Sequence, residues 1–120
     1  MAVDLRSTAD PILDIDGTLA RFGGDKNLFI EMSGIVLEDA PRVFSNLRSA
    51  VESHDATAIR SHAHALRGLL AGCGGVRAAK AAQILEDAGN SARLENSSQM
   101  LAALNAEFES LSRALERYRS

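Results

Sequence analysis

The sequence predicts an all-α fold: an antiparallel four-helix bundle with an additional helix at its N-terminal end. Three observations carry that prediction. Alanine is abundant, while four Phe, one Tyr and no Trp supply the aromatics of a 120-residue chain that is 46% hydrophobic; alanine favours helices over strands. Apolar residues recur every three or four positions over long stretches, and no stretch sustains the period-two alternation of a half-buried strand. Glycine-rich breaks and capping residues then cut the chain into lengths suited to bundle helices.

Residues 1–10 are polar and are expected to form a flexible N-terminus, leaving 11–120 as a single domain. Asp10-Pro11 reads as an N-cap followed by proline at the first helical position. A short helix would run from there, over Ile12 to Phe22, until Gly23-Gly24 stops it. From Lys26, the residues Phe29, Met32, Val36, Ala40, Val43, Leu47 and Ala50 keep helical spacing. Pro41 interrupts that run, so a kink is expected, or two helices end to end with Asp39 as a cap. His54-Asp55 is the next break, and Asp55 reads as the N-cap of a helix that reaches Gly72. Three glycines in Gly72-Cys73-Gly74-Gly75 mark a turn. A helix over Val76–Ala88 carries Ala78, Ala81, Ala82, Leu85 and Ala88 on one stripe, with Gly89-Asn90 expected to close it. The last helix, from Leu94 to Tyr118, has Leu101, Leu104, Phe108, Leu111, Leu115 and Tyr118 as its seam. Short connections between such helices favour antiparallel neighbours.

Charge and cysteine content exclude several function classes. The formal net charge is −3 and the basic residues are dispersed, unlike the footprint of a nucleic-acid binder. Cys73 is the sole cysteine, so neither an internal disulfide nor a cysteine metal cluster is available, and a small buried filler is the expected role. No apolar run approaches the ~20 residues that span a bilayer, and the N-terminal residues lack a signal-peptide layout. A cytoplasmic monomer is expected.

The chemistry-bearing stretch is Ile59-Arg60-Ser61-His62-Ala63-His64-Ala65-Leu66-Arg67-Gly68-Leu69-Leu70. At about 100° per residue, Ile59, Ala63, Leu66 and Leu70 share one face, whereas His64 lies about 140° and Gly68 about 180° from Ile59. Arg60, Arg67 and Ala71 fall on that outer face, and His62 points back towards the edge of the core. His64 is therefore a candidate reactive group and His62 a packing residue. His54, at a helix end, suits the negative pole there. Gly68 costs roughly 1 kcal/mol against alanine in an exposed helix interior. Its bare backbone, one turn after His64, clears an approach for a bulky partner. Arg67 places a permanent cation beside any anion that His64 acquires, in a geometry that forks onto phosphate oxygens. An imidazole is partly neutral at cellular pH and nucleophilic through one ring nitrogen.

His64-Ala65-Leu66-Arg67-Gly68, followed by Gly74, resembles the signature of the histidine-containing phosphotransfer (HPt) family: histidine, any residue, Leu, Lys, Gly, then a glycine ten positions after the histidine. Leu19-Ala20-Arg21-Phe22-Gly23-Gly24-Asp25 resembles the family's opening helix and turn. Phe29 through Ala50 resembles its next helices, and Asp55 resembles the aspartate that precedes the histidine helix. Ile84-Leu85-Glu86 resembles the Leu-Glu element of the helix that follows. The resemblance spans residues 12–118 and implies a phosphocarrier without kinase activity of its own, relaying phosphoryl groups between receiver-domain aspartates in a two-component phosphorelay. It implies phosphorylation of His64, with Arg67 in place of the usual lysine and Gly68 as the clearance glycine; Arg60, on the same face, reads equally as a solvated side chain or as a docking contact. Either Gln83 or Glu86 would hydrogen-bond the imidazole. It implies no cofactor on this chain, with Mg²⁺ on the receiver partner, and a hybrid sensor kinase as a further partner. Leu69 stands where the family often has a small polar residue, which bears on docking.

Two other readings compete. Asp14-Ile15-Asp16-Gly17-Thr18-Leu19 is similar to the first motif of haloacid-dehalogenase-type phosphatases, in which Asp14 would be the nucleophile and Asp16 the acid/base, with Mg²⁺ between them. That motif must end a strand of a parallel sheet, and no strand–helix alternation follows it here. A helical adaptor without phosphoryl chemistry is the third reading.

Overall fold

The computed structural model describes residues 10–120 and places them in five helices: α1 (Ile15–Arg21), α2 (Lys26–Glu52), α3 (Ala56–Gly72), α4 (Val76–Ser91) and α5 (Ser97–Arg119). Among the described residues there is no strand. Most of the flexible tail expected over 1–10 lies outside them. Helices α2 to α5 form the four-helix bundle and α1 packs across it as the additional helix. In the bundle, α3 packs between α2 and α4, while α5 closes the other side against the same two helices.

The core follows the apolar stripes. Phe29, Val36, Ala40 and Leu47 of α2, Ile59, Ala63, Leu66 and Leu70 of α3, Ala78, Ala82 and Leu85 of α4, and Leu104, Leu111 and Leu115 of α5 are all buried. Each fully buried leucine contributes about 1.5–3 kcal/mol relative to exposure. The few aromatics stack locally: Phe29 meets Tyr118 edge-on at 5.3 Å between ring centroids, and Phe44 meets Phe108 at 5.0 Å. Cys73 is buried, its thiol directed at the Leu70 carbonyl, and burial pushes its pKa up to about 11. It is an inert filler.

Helix α5 starts at Ser97 rather than at Leu94, and three further boundaries differ from the sequence expectation. The first helix begins at Ile15, not beside Pro11. Its N-cap is Asp14, whose Oδ1 accepts from the Gly17 amide at 3.0 Å. Asp10 instead pairs with Lys80 at 2.7 Å. Second, Pro41 lies inside one continuous α2, and Asp39 is a mid-helix residue rather than a cap. Pro41 is exposed, while buried Ala40, Val43 and Phe44 hold the face beneath it. Third, α4 passes through Gly89-Asn90 and ends at Ser91, where Ala92 adopts the left-handed conformation at φ 57°. Gly89 is therefore not a stop. A Cβ there would lie 2.7 Å from the Arg60 backbone nitrogen and 2.8 Å from the Ala56 carbonyl oxygen, so its bareness lets α4 press directly on α3.

Candidate functional site

Asp55 caps α3 as expected, its Oδ1 accepting from the Ala58 amide at 3.1 Å. The helix then runs unbroken to Gly72 with its apolar stripe buried, which fixes where His64 points. The His64 side chain is 63% exposed. Gly68, one turn on, has nothing within 4 Å of where a Cβ would stand, so the surface beside the imidazole is open. His62 is half-buried on the other side of the helix, and Leu69 is half-buried against the core rather than fully presented to a partner.

Three side chains meet at this surface. Glu86 reaches across from α4, with Oε2 2.9 Å from His64 Nδ1 and Oε1 accepting from Arg67 Nε at 2.7 Å. Arg67 Nη2 also lies 3.1 Å from His64 Nδ1. Both contacts cannot be hydrogen bonds, because one proton position on Nδ1 cannot serve an acceptor and a donor together. A carboxylate only accepts, so Nδ1–H donating to Glu86 is the consistent arrangement, and Arg67 is held by Glu86 rather than by the ring. That tautomer leaves Nε2 with its lone pair on the outward side of the imidazole. Of the two residues left open by the sequence, Glu86 holds the ring. Gln83 is exposed on the same helix and lines an adjoining recess of about 340 Å³ with Arg21, Arg67, Ala71 and Lys80. Arg60 is exposed one turn before His64.

The hydrogen bond from Arg67 holds the Glu86 carboxyl below its ordinary value of 4.5; burial opposes this, and His64 adds a second lowering bond. A depressed carboxylate pKa means that the folded state gains stability above the ordinary value and loses it as pH falls through the folded one. Glu86→Gln removes that dependence. Thermal melts should show the stability difference between wild type and Glu86→Gln shrinking from pH 7 to pH 3; a constant difference would show that the carboxylate charge contributes nothing to folding.

The phosphatase-like hexapeptide is accounted for locally. The Asp14 carboxylate caps α1, the buried Thr18 hydroxyl donates to the Asp14 carbonyl at 2.6 Å, and the Asp14 amide donates to the Gly74 carbonyl at 2.8 Å. Gly74 sits at φ 87°, and a side chain there would collide with the Thr18 hydroxyl and the Asp14 carbonyl. The segment ends no strand, so the haloacid-dehalogenase reading falls, along with the roles it gave Asp14 and Asp16.

The described residues form a helical bundle that presents an exposed histidine from α3, the helix packed between α2 and α4. Comparison with known proteins agrees. The sequence profile of the Hpt domain matches residues 31–114, and the chain belongs to the Hpt family. Its fold is similar to the crystal structure of histidine-containing phosphotransfer protein B (HptB) from Pseudomonas aeruginosa PAO1, with a TM-score of 0.84, 20% sequence identity, and coverage of 93% of this chain and 96% of that one. No curated protein matches the sequence. No described helix is long and apolar enough to cross a membrane.

Proposed function

We propose that this protein relays a phosphoryl group between receiver-domain aspartates of a multistep phosphorelay, carrying it on Nε2 of His64. The observation that carries the reading is the His64–Glu86 bond, which fixes the proton on Nδ1 and turns the free lone pair outward beside a bare helical turn. In the transfer, Nε2 attacks the phosphorus of an aspartyl phosphate. The N–P bond forms, the P–O bond to the aspartate breaks, and the carboxylate leaves with that electron pair. The ring keeps its Nδ1 proton and becomes formally cationic, and the Glu86 carboxylate opposes that charge. The reverse step passes the group to a second receiver. Positioning and charge stabilisation dominate such transfers, so a Mg²⁺ ion on the receiver partner suffices and this chain need bring no cofactor. A hybrid sensor kinase would supply the first receiver. The carrier has no kinase activity of its own.

Mixing the protein with phosphorylated receiver domains should give an acid-labile, base-stable phosphoryl label on His64. A label that survives acid, or falls on another residue, would refute the assignment. Arg67→Ala should slow the transfer about tenfold without abolishing it, the scale of one charge-assisted hydrogen bond at about 1.5 kcal/mol. An unchanged rate in stopped-flow measurements would show that the guanidinium takes no part.

A further inference from the structure

We propose that phosphorylation of His64 makes Arg67 exchange partners: its guanidinium leaves the Glu86 carboxylate for the phosphoryl oxygens, and Glu86 passes to the imidazole alone. The inference rests on the phosphoryl-transfer reading above and concerns what the site does once it is loaded.

In the unloaded site one carboxylate serves two residues. Glu86 Oε1 accepts from Arg67 Nε at 2.7 Å, and Oε2 accepts from His64 Nδ1 at 2.9 Å. Arg67 Nη2 stands 3.1 Å from that same Nδ1. This closeness costs little while the ring is neutral. When Nε2 has formed its bond to phosphorus, the ring keeps the Nδ1 proton and becomes cationic. Two cations then stand 3.1 Å apart with one anion between them, and like charges at such a distance repel strongly. The arrangement that suits the neutral ring does not suit the loaded one.

Which group yields follows from how each is held. Glu86, with 18% of its side chain exposed, gains a cationic donor in the loaded ring, so its bond to Nδ1 strengthens. Arg67 is a long side chain, 36% exposed, and among the described residues its guanidinium has no hydrogen bond apart from Glu86 and the ring contact. It is the group free to move. Two anions lie on its side of α3: the new phosphoryl group, and Asp14, which lines the adjoining recess with Arg67. Asp14 carries a single charge, and its Oδ1 already accepts from the Gly17 amide at 3.0 Å. Arg21, whose Nη2 donates to the Ala71 carbonyl at 3.2 Å, and Lys80 line that recess as well. The phosphoryl group brings about two negative charges and its acceptor oxygens to the ring that Arg67 already touches. A guanidinium forks onto such oxygens, so they are its destination. The exchange leaves every charge opposed: Glu86 by the imidazolium, the phosphoryl group by Arg67.

The test loads the full chain in two ways, with a phosphorylated receiver domain and with phosphoramidate, a small donor that needs no partner protein. NMR follows the site. Before loading, the Arg67 Nε–H should show a nuclear Overhauser contact with the Glu86 side chain. After loading, that contact should fall at least about tenfold, the scale of one charge-assisted hydrogen bond, while His64 Nδ1 stays protonated. The phosphorus resonance of the loaded protein should differ between wild type and Arg67→Ala. A persisting Arg67–Glu86 contact would overturn the exchange. So would loss of the Nδ1 proton with Arg67 donating to the bare nitrogen, or a phosphorus resonance that ignores Arg67→Ala, as it would if the guanidinium turned to Asp14. Should Arg67→Ala melt early by circular dichroism, the two wild-type readings decide alone. Loading by phosphoramidate but by no receiver would overturn the carrier function, with the exchange still read from the loaded ring. Loading by neither donor would overturn both.

Discussion

His64→Gln should abolish phosphoryl acceptance entirely and leave the fold unchanged. Glutamine has no nucleophilic ring nitrogen, so no N–P bond can form however well the receiver docks. The site is 63% exposed and contributes no atom to the buried stripe of Ile59, Ala63, Leu66 and Leu70, and substitutions at such surface positions usually stay within about 0.5 kcal/mol. What changes is the partner set of Glu86, which keeps its bond from Arg67. Labelling by a phosphorylated receiver and thermal melts check the two halves separately. Residual acid-labile label would move the acceptor elsewhere, to His62 or His54. Unfolding would mean that the imidazole holds the bundle together, contrary to its exposure.

The second large effect separates two glycines that sit in helices. Gly89→Ala should destabilise the protein by about 1–3 kcal/mol, the scale of overpacking, although alanine is the better helix former by about 1 kcal/mol. The reason is the 2.7 Å approach to the Arg60 backbone nitrogen: backbone cannot swing aside as a flexible side chain could, so α3 and α4 must separate. Gly68→Ala meets nothing within 4 Å and should stabilise by about 1 kcal/mol. That same substitution should slow phosphoryl transfer, because the methyl group occupies the approach beside His64. Denaturant unfolding of the two variants gives the signs directly. A stabilising Gly89→Ala would show that the α3–α4 contact is looser than described; a destabilising Gly68→Ala would show that the surface beside His64 is not open.

What the sequence made legible depended on whether the decisive interaction was local. Asp55 and the Gly72–Gly75 turn could be read because a cap and a tight turn are completed within a few residues. The outward direction of His64 followed from one helical wheel, since its helix is bounded cleanly on both sides. Asp10 was read as the cap of the first helix, but Asp14 caps it, and Asp10 pairs instead with Lys80, seventy positions away. Pro41, for which two helices end to end was one of the two expectations, and Gly89 misled for a related reason. Each breaks a helix in isolation, yet one is tolerated on a solvated face over a packed stripe, and the other is demanded by a neighbouring backbone. Gln83 and Glu86 lie one turn apart on α4, and only the relative placement of α3 and α4 selects the carboxylate. The fastening of Arg21 to Ala71 left no trace in the sequence, being a side chain on a carbonyl fifty residues on.

The knot tying Asp14, Thr18 and Gly74 together bears on how short catalytic signatures are used elsewhere. A hexapeptide of two aspartates, a glycine and a threonine is spelled here by the needs of a helix start moored to a distant turn. An acid whose oxygen already receives the amide three residues on is committed to architecture rather than to attack on phosphorus. Genome surveys that credit hydrolase activity to such strings would gain by asking first whether the letters before them can form a strand.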